Sequence, residues 1–324
     1  MRISPKILVS FLCFFMIHLN LSGIYAIEIE IQPGGSDLKV ISEKDVSGFF
    51  GRGLPMGPAS MRFFHDSLWI SNSVEGNFLE FKADGKLVKK IEIPEGKKFV
   101  FSDFAFQSTA DNRLEAIWTV GSEQTDILKI SLNGEVVKRF DTILMMPCQI
   151  ELVANSQLVV FDEGNDTIVS FDFEGKKLWE QKAAGKKFLV TPDNEILFID
   201  KAGESLCISI MNPTTLAVKK EKDIPVNEDG LPSLLAFSPD SDILFSFQTI
   251  DVESDSFFWH IGRLSRGDQK MESLTMNHPA PFLNRILIPD SGQILIVDFV
   301  EGNEKSFFRI TDFDAKFSDG NSEG

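Results

Sequence analysis

An all-β, six-bladed β-propeller of four-stranded antiparallel blades is predicted for this chain by three observations. A short apolar run recurs six times, as Leu68-Trp69-Ile70, Ala116-Ile117-Trp118, Leu158-Val159-Val160, Ile196-Leu197-Phe198, Ile243-Leu244-Phe245 and Ile294-Leu295-Ile296, with starts 48, 42, 38, 47 and 51 residues apart. Each run is followed by a polar loop, a second apolar run and, in most units, a tight-turn pair. No stretch of ten residues carries an apolar period of 3.6, so the repeats are not helical. Repeats of about 45 residues built from four short strands are the signature of propeller blades.

Within each unit the elements follow in order. First strands open at Pro58, Pro147, Pro232 and Pro281, and Pro192-Asp193, Pro239-Asp240 and Pro289-Asp290 make the turn into the second strands. The third strands are Phe78 to Phe81, Ile127 to Ile130, Ile168 to Phe171, Cys207 to Ile210, Phe257 to Ile261 and Phe307 to Ile310. Asp84-Gly85, Asn133-Gly134 and Glu174-Gly175 then predict hairpins, with a type I′ turn expected at the first two because both central residues favour positive φ. The sixth unit lacks a fourth strand. Leu38 to Ile41 is expected to supply it by pairing with Phe307 to Thr311, with Ile27 to Ile31 as a further strand or rim clamp, because an unpaired edge invites aggregation.

Charge and termini narrow the function classes. The 324 residues carry a net charge of -16 and a pI near 4.7, which argues against a nucleic-acid partner. A basic start at Arg2 and Lys6, an apolar run from Ile7 to Leu21 and a small residue at Ala26 predict a secretory signal peptide over residues 1–26. The propeller is expected over 27–313 and a polar, disordered tail over 314–324. A secreted or periplasmic monomer follows, with no transmembrane segment after cleavage. Cys148 and Cys207 fall on the first strand of one blade and the third strand of the next. That separation exceeds the reach of a disulfide, so both thiols are expected to be reduced and buried.

The succession Gly51-Arg52-Gly53, Gly57-Pro58-Ala59, Leu68-Trp69-Ile70, Phe78-Leu79-Glu80-Phe81 and Asp84-Gly85-Lys86-Leu87-Val88 resembles an NHL repeat. The whole mature chain resembles the secreted six-bladed propellers built from NHL-like units. The resemblance implies the fold. It does not imply a reaction, because such propellers serve as binding modules, scaffolds, lactonases and lyases.

Candidate site residues lie along the channel and on the loop face. Arg62, Glu151 and Arg285 each stand four residues after a strand-opening proline. Arg62 and Arg285 are therefore expected in one register on neighbouring blades, as a clamp for an anion or carboxylate, unless each is paired with an acid such as Glu151 or Asp103. Loops between second and third strands are acidic, and Asp162, Glu163 and Asp166 are weak candidates for a Ca²⁺ site. The competing reading is that an aspartate at this strand end caps the turn. The peptide-amidating lyases, also NHL-like propellers, use several histidines with an arginine and a tyrosine. Here His65, His260 and His278 fall on different faces and cannot converge on one zinc, so no zinc chemistry is expected. The leading expectation is a non-catalytic binding or scaffold module for a protein, peptide or saccharide. The alternative is a metal-dependent hydrolase or lactonase, with Glu151, Asn284 and Asp103 around a channel cation.

Overall fold

In the computed structural model, six four-stranded antiparallel sheets form a closed ring. The structure describes residues 27–31, 60–73, 75–94, 101–121, 124–183, 187–202, 205–223, 233–237, 242–251, 256–264, 271–276, 286–288, 293–300 and 306–312. The expected signal peptide, Leu38 to Ile41, the tail, Asn284, Arg285 and His278 lie outside the described residues. Among those described, no helix is long and apolar enough to cross a membrane.

Blade 1 comprises β2 (Ser60–Phe64), β3 (Ser67–Asn72), β4 (Asn77–Lys82) and β5 (Leu87–Glu92), and blade 2 comprises β6 (Phe101–Ser108), β7 (Leu114–Gly121), β8 (Gln124–Ser131) and β9 (Val136–Asp141). Blade 3 holds β10 (Pro147–Val153), β11 (Gln157–Asp162), β12 (Thr167–Phe171) and β13 (Lys177–Lys182). Blade 4 holds β14 (Phe188–Val190), β15 (Ile196–Ala202), β16 (Ser205–Met211) and β17 (Val218–Asp223). Blade 5 holds β18 (Ser233–Phe237), β19 (Ile243–Asp251), β20 (Ser256–Leu264) and β21 (Met271–Met276). Blade 6 holds β22 (Ile286–Leu287), β23 (Leu295–Val300) and β24 (Ser306–Asp312), with β1 (Ile27–Ile31) as its outer strand.

The second strands explain why the ring closes. Side chains alternate between the two faces of a strand, so a strand buried on both faces must be apolar throughout. Val159 and Phe161 pack into the blade 3–blade 4 interface, while Leu158 and Val160 pack into the blade 2–blade 3 interface. Leu197 and Ile199 face blade 5, and Ile196 and Phe198 face blade 3. The last interface joins Leu295 and Val297 of blade 6 to Leu68 and Ile70 of blade 1, which completes the circle. Outer strands read differently. In β9 and β13 most residues are exposed, and Lys138, Arg139, Lys177 and Lys182 charge the blade edges against further pairing.

Three expectations are corrected. The strand that closes blade 6 is Ile27–Ile31, paired from Ile27 against Ile310 to Ile31 against Ser306. Its strict Ile-Glu-Ile-Glu-Ile alternation is a stronger period-two signal than Leu38-Lys39-Val40-Ile41. The hairpins are not type I′: Gly85, Gly134 and Gly175 have φ of 79°, 88° and 84°, while Asp84, Asn133 and Glu174 do not share the positive φ. Each is a type I turn closed by a left-handed glycine, with a register shift in the following strand pair. In blade 2 the repeat is one residue out of step: Trp118, not Ile117, faces the following blade as Trp69 does. A one-residue slip moves every side chain to the other face.

Candidate functional site

The first strand of every blade lines a central channel of about 530 Å³. Cross-strand partners put the lining residues on common levels. Arg62 opposes Trp69, Ala105 opposes Trp118, Glu151 opposes Val159, Leu189 opposes Leu197, Ala236 opposes Leu244 and Leu287 opposes Leu295. All six opposing residues pack toward the following blade, so the six inner residues lie on the corresponding face of their strands. Arg62 and Glu151 do hold the same register. In blade 6 the described inner residue on that face is Leu287; Arg285, expected to pair with Arg62, lies outside the described residues.

Arg62 is committed within the protein. Its Nη2 lies 2.6 Å from Asp103 Oδ2, and its Nη1 lies 2.7 Å from Glu151 Oε1. Nε donates to Asp103 Oδ1 at 3.3 Å, and Nη2 also donates to the Ile150 carbonyl at 3.1 Å. Every nitrogen of the guanidinium therefore has an acceptor, and three blades are tied by one side chain. Asp103 is equally committed: it accepts from Ser60 Oγ at 2.5 Å and from the Ile150 amide at 3.1 Å. Its side chain is 1% exposed, against 17% for Arg62 and 22% for Glu151.

The electrostatics follow from that geometry. Burial works against the charge on Arg62, but Asp103 and then Glu151 outweigh it, so the guanidinium is held more firmly protonated than a free arginine. Burial lifts the Glu151 carboxyl above the usual carboxylate range; Arg62 opposes that rise and Asp103 adds to it. Although Glu151 touches channel solvent, protein surrounds most of its carboxylate, which is why burial dominates.

Two residues nearer the blade links stands a further set of channel residues, of which the sequence reading named only Asp103. Ser60, Asp103 and Gln149 stand there opposite Ser71, Val120 and Phe161. Lys187 precedes Leu189 by two residues and lines the same channel. Gln149 bridges blades 3 and 4 by donating to the Phe188 carbonyl at 2.8 Å and accepting from the Phe188 amide at 3.1 Å. Among the described residues the other half of the channel is apolar. Leu234, Leu235, Ala236 and Phe237 of blade 5 and Ile286, Leu287 and Ile288 of blade 6 form it. In blades 1 to 4 the signal was available as the polar residue two positions before the inner residue, at Ser60, Asp103, Gln149 and Lys187, but it needs the register to be seen.

The loop-face candidates have structural partners. Asp162 is fully buried and accepts from the Met145 amide at 3.1 and 3.0 Å, the Met146 amide at 2.7 Å and Asn165 Nδ2 at 2.6 Å. It caps the link between blades 2 and 3. Glu163 and Asp166 are exposed beside it. Among the described residues no three His, Cys, Asp or Glu side chains converge to hold a metal ion. His65 is exposed in the first turn, and half-buried His260 lies on β20, where burial lowers its pKa. Cys148 and Cys207 are both free and buried.

No protein-family model matches the chain, and no curated protein matches it. Solved structures do. A streptogramin B lyase shares 15% identity over 89% of this chain and 98% of its own, with a TM-score of 0.52. A protein described as exported, from Bacteroides fragilis, shares 9% identity over 85% and 94%, with a TM-score of 0.54. A DUF4221 member from Bacteroides vulgatus shares 9% over 88% and 96%, with a TM-score of 0.53. At these identities the likeness is one of fold: the chain shares the propeller architecture with proteins of different roles.

Proposed function

We propose that this protein is an exported, non-catalytic binding module whose channel receives an uncharged group of a saccharide or peptide partner. The observation that carries the reading is the interlock of Arg62 with Asp103 and Glu151. It leaves no open guanidinium fork for an anion. Among the described residues the charges of Arg62 and Lys187 balance those of Asp103 and Glu151. A charged ligand group would lose its hydration and meet no uncompensated counter-charge among the described residues. A pyranose ring or a peptide amide suits the site better, since each offers a polar edge to Glu151 and Gln149 and an apolar face to Leu235 and Phe237. The fold neighbour described as exported and the signal-like residues 1–26 support the location.

The test is a thermal-shift panel on purified protein. Uncharged oligosaccharides and capped peptides are expected to include stabilising ligands, while sulfate and citrate are expected to give no saturable shift. Saturable stabilisation by the anions alone would refute the reading.

A further inference from the structure

The link between blades 2 and 3 exposes a run of large apolar side chains. Ile143 is 75% exposed, Met145 63% and Met146 48%, three of four consecutive residues. Between them Leu144 is 2% exposed and packs in the blade 2–blade 3 core, so it pins the segment. Exposed apolar groups that cluster in this way mark interaction surfaces, whereas scattered ones do not.

The segment is also held in one shape. Asp162 takes the backbone amides of both methionines, and the Met146 carbonyl accepts from the Glu163 amide at 3.0 Å. A Cβ added at Gly164 would lie 2.6 Å from the Met145 Cβ, so the adjoining loop fits closely against it. A buried carboxylate is thus spent on fixing the backbone of a loop that displays apolar side chains outward. Fixing the backbone in advance lowers the ordering cost of binding, while the flexible methionines adapt to the contact.

The rim is acidic. Asp141, Glu163 and Asp166 are exposed around the segment. Lys182 reaches the Asn165 carbonyl at 2.7 Å, and Arg139 is tied to Asp126, so among the described residues carboxylates outnumber the local cations. A second copy of this chain would bring the same acids face to face, on a protein of net charge -16. We infer that the blade 2–blade 3 link docks a protein segment whose apolar side chains are flanked by lysine or arginine. An apolar centre within a complementary charged rim is the usual anatomy of such a contact.

The experiment titrates labelled peptides of alternating Leu and Lys, Leu and Glu, and Ser and Lys into the purified protein. The Leu-Lys peptide is expected to bind best. Replacing Ile143, Met145 and Met146 together by Ser is expected to weaken it ten-fold or more with unchanged melting, since all three are exposed. Asp141→Asn with Glu163→Gln is expected to weaken it several-fold. Equal binding by the triple variant, or equal binding of the Ser-Lys or Leu-Glu peptide, would overturn the inference. So would a self-associated wild type that the triple variant turns into monomers.

Discussion

Arg62 and Asp103 are joined twice across the boundary of blades 1 and 2, at 2.6 Å through Nη2 and at 3.3 Å through Nε. The contact puts a nearly buried carboxylate and a channel arginine into one structural unit, with Glu151 of blade 3 as its third member. The unit holds three inner strands in register.

Removing the arginine should therefore cost stability before it affects any ligand. Arg62→Met leaves Asp103 buried without its counter-charge, and breaking a buried pair from one side costs about 3–5 kcal/mol. Denaturant unfolding is expected to show a loss of that order. A loss under about 1 kcal/mol would mean that the pair is solvated and weak.

Glu151 gives the pH dependence an unusual sign. Its carboxyl is raised in the folded state by burial. Between the unfolded and folded values the native state binds more protons, so this group's contribution to stability rises as pH falls through the folded value. Above that value the ionised carboxylate weighs on the fold. The stability of the wild type minus that of Glu151→Gln should thus increase from about pH 7.5 to about pH 4.5. A difference that shrinks over the same range would show a lowered carboxyl instead.

The thiols should be silent. Burial, with Glu163 adding, pushes Cys148 up to about 12, and Cys207 is 2% exposed. Only the thiolate reacts quickly, so neither should react with a disulfide reagent in the native protein at neutral pH. Both should react on denaturation. Native labelling at Cys148, or a mass lower by two hydrogens before reduction, would contradict the blade packing.

Closure rests on the first strand. Deleting Ile27–Ile31 uncovers the whole edge of Ser306–Asp312. The expected result is aggregation, or a fall in melting temperature on the order of 10 °C, equivalent to a few kcal/mol for a chain of this size. An unchanged melt would show that blade 6 is complete without it.

The blade count, the strand order and the shared register of Arg62 and Glu151 were legible because the apolar runs of two-sided strands repeat. The place of Arg285 in blade 6 lies outside the described residues. The pairing of Leu287 with Leu295 becomes visible only in the folded sheet. Blade 2 slipped because Ala116 looks like the start of the run, whereas face parity places Ile117 there. The commitment of Arg62 to two acids on other blades could be named as an alternative. It could not be chosen, since those contacts span 41 and 89 residues.

The central claim is that the channel binds an uncharged group and does no chemistry on it. Ala236 lines the channel, so Ala236→Trp places an indole in the ligand's space. Calorimetric titration of an uncharged oligosaccharide or capped peptide that stabilises the wild type should give saturable binding. The same titration should fail with Ala236→Trp, and no product should appear with or without added Ca²⁺. Binding that survives Ala236→Trp, or Ca²⁺-dependent hydrolysis of a lactone that this variant abolishes, would contradict the account.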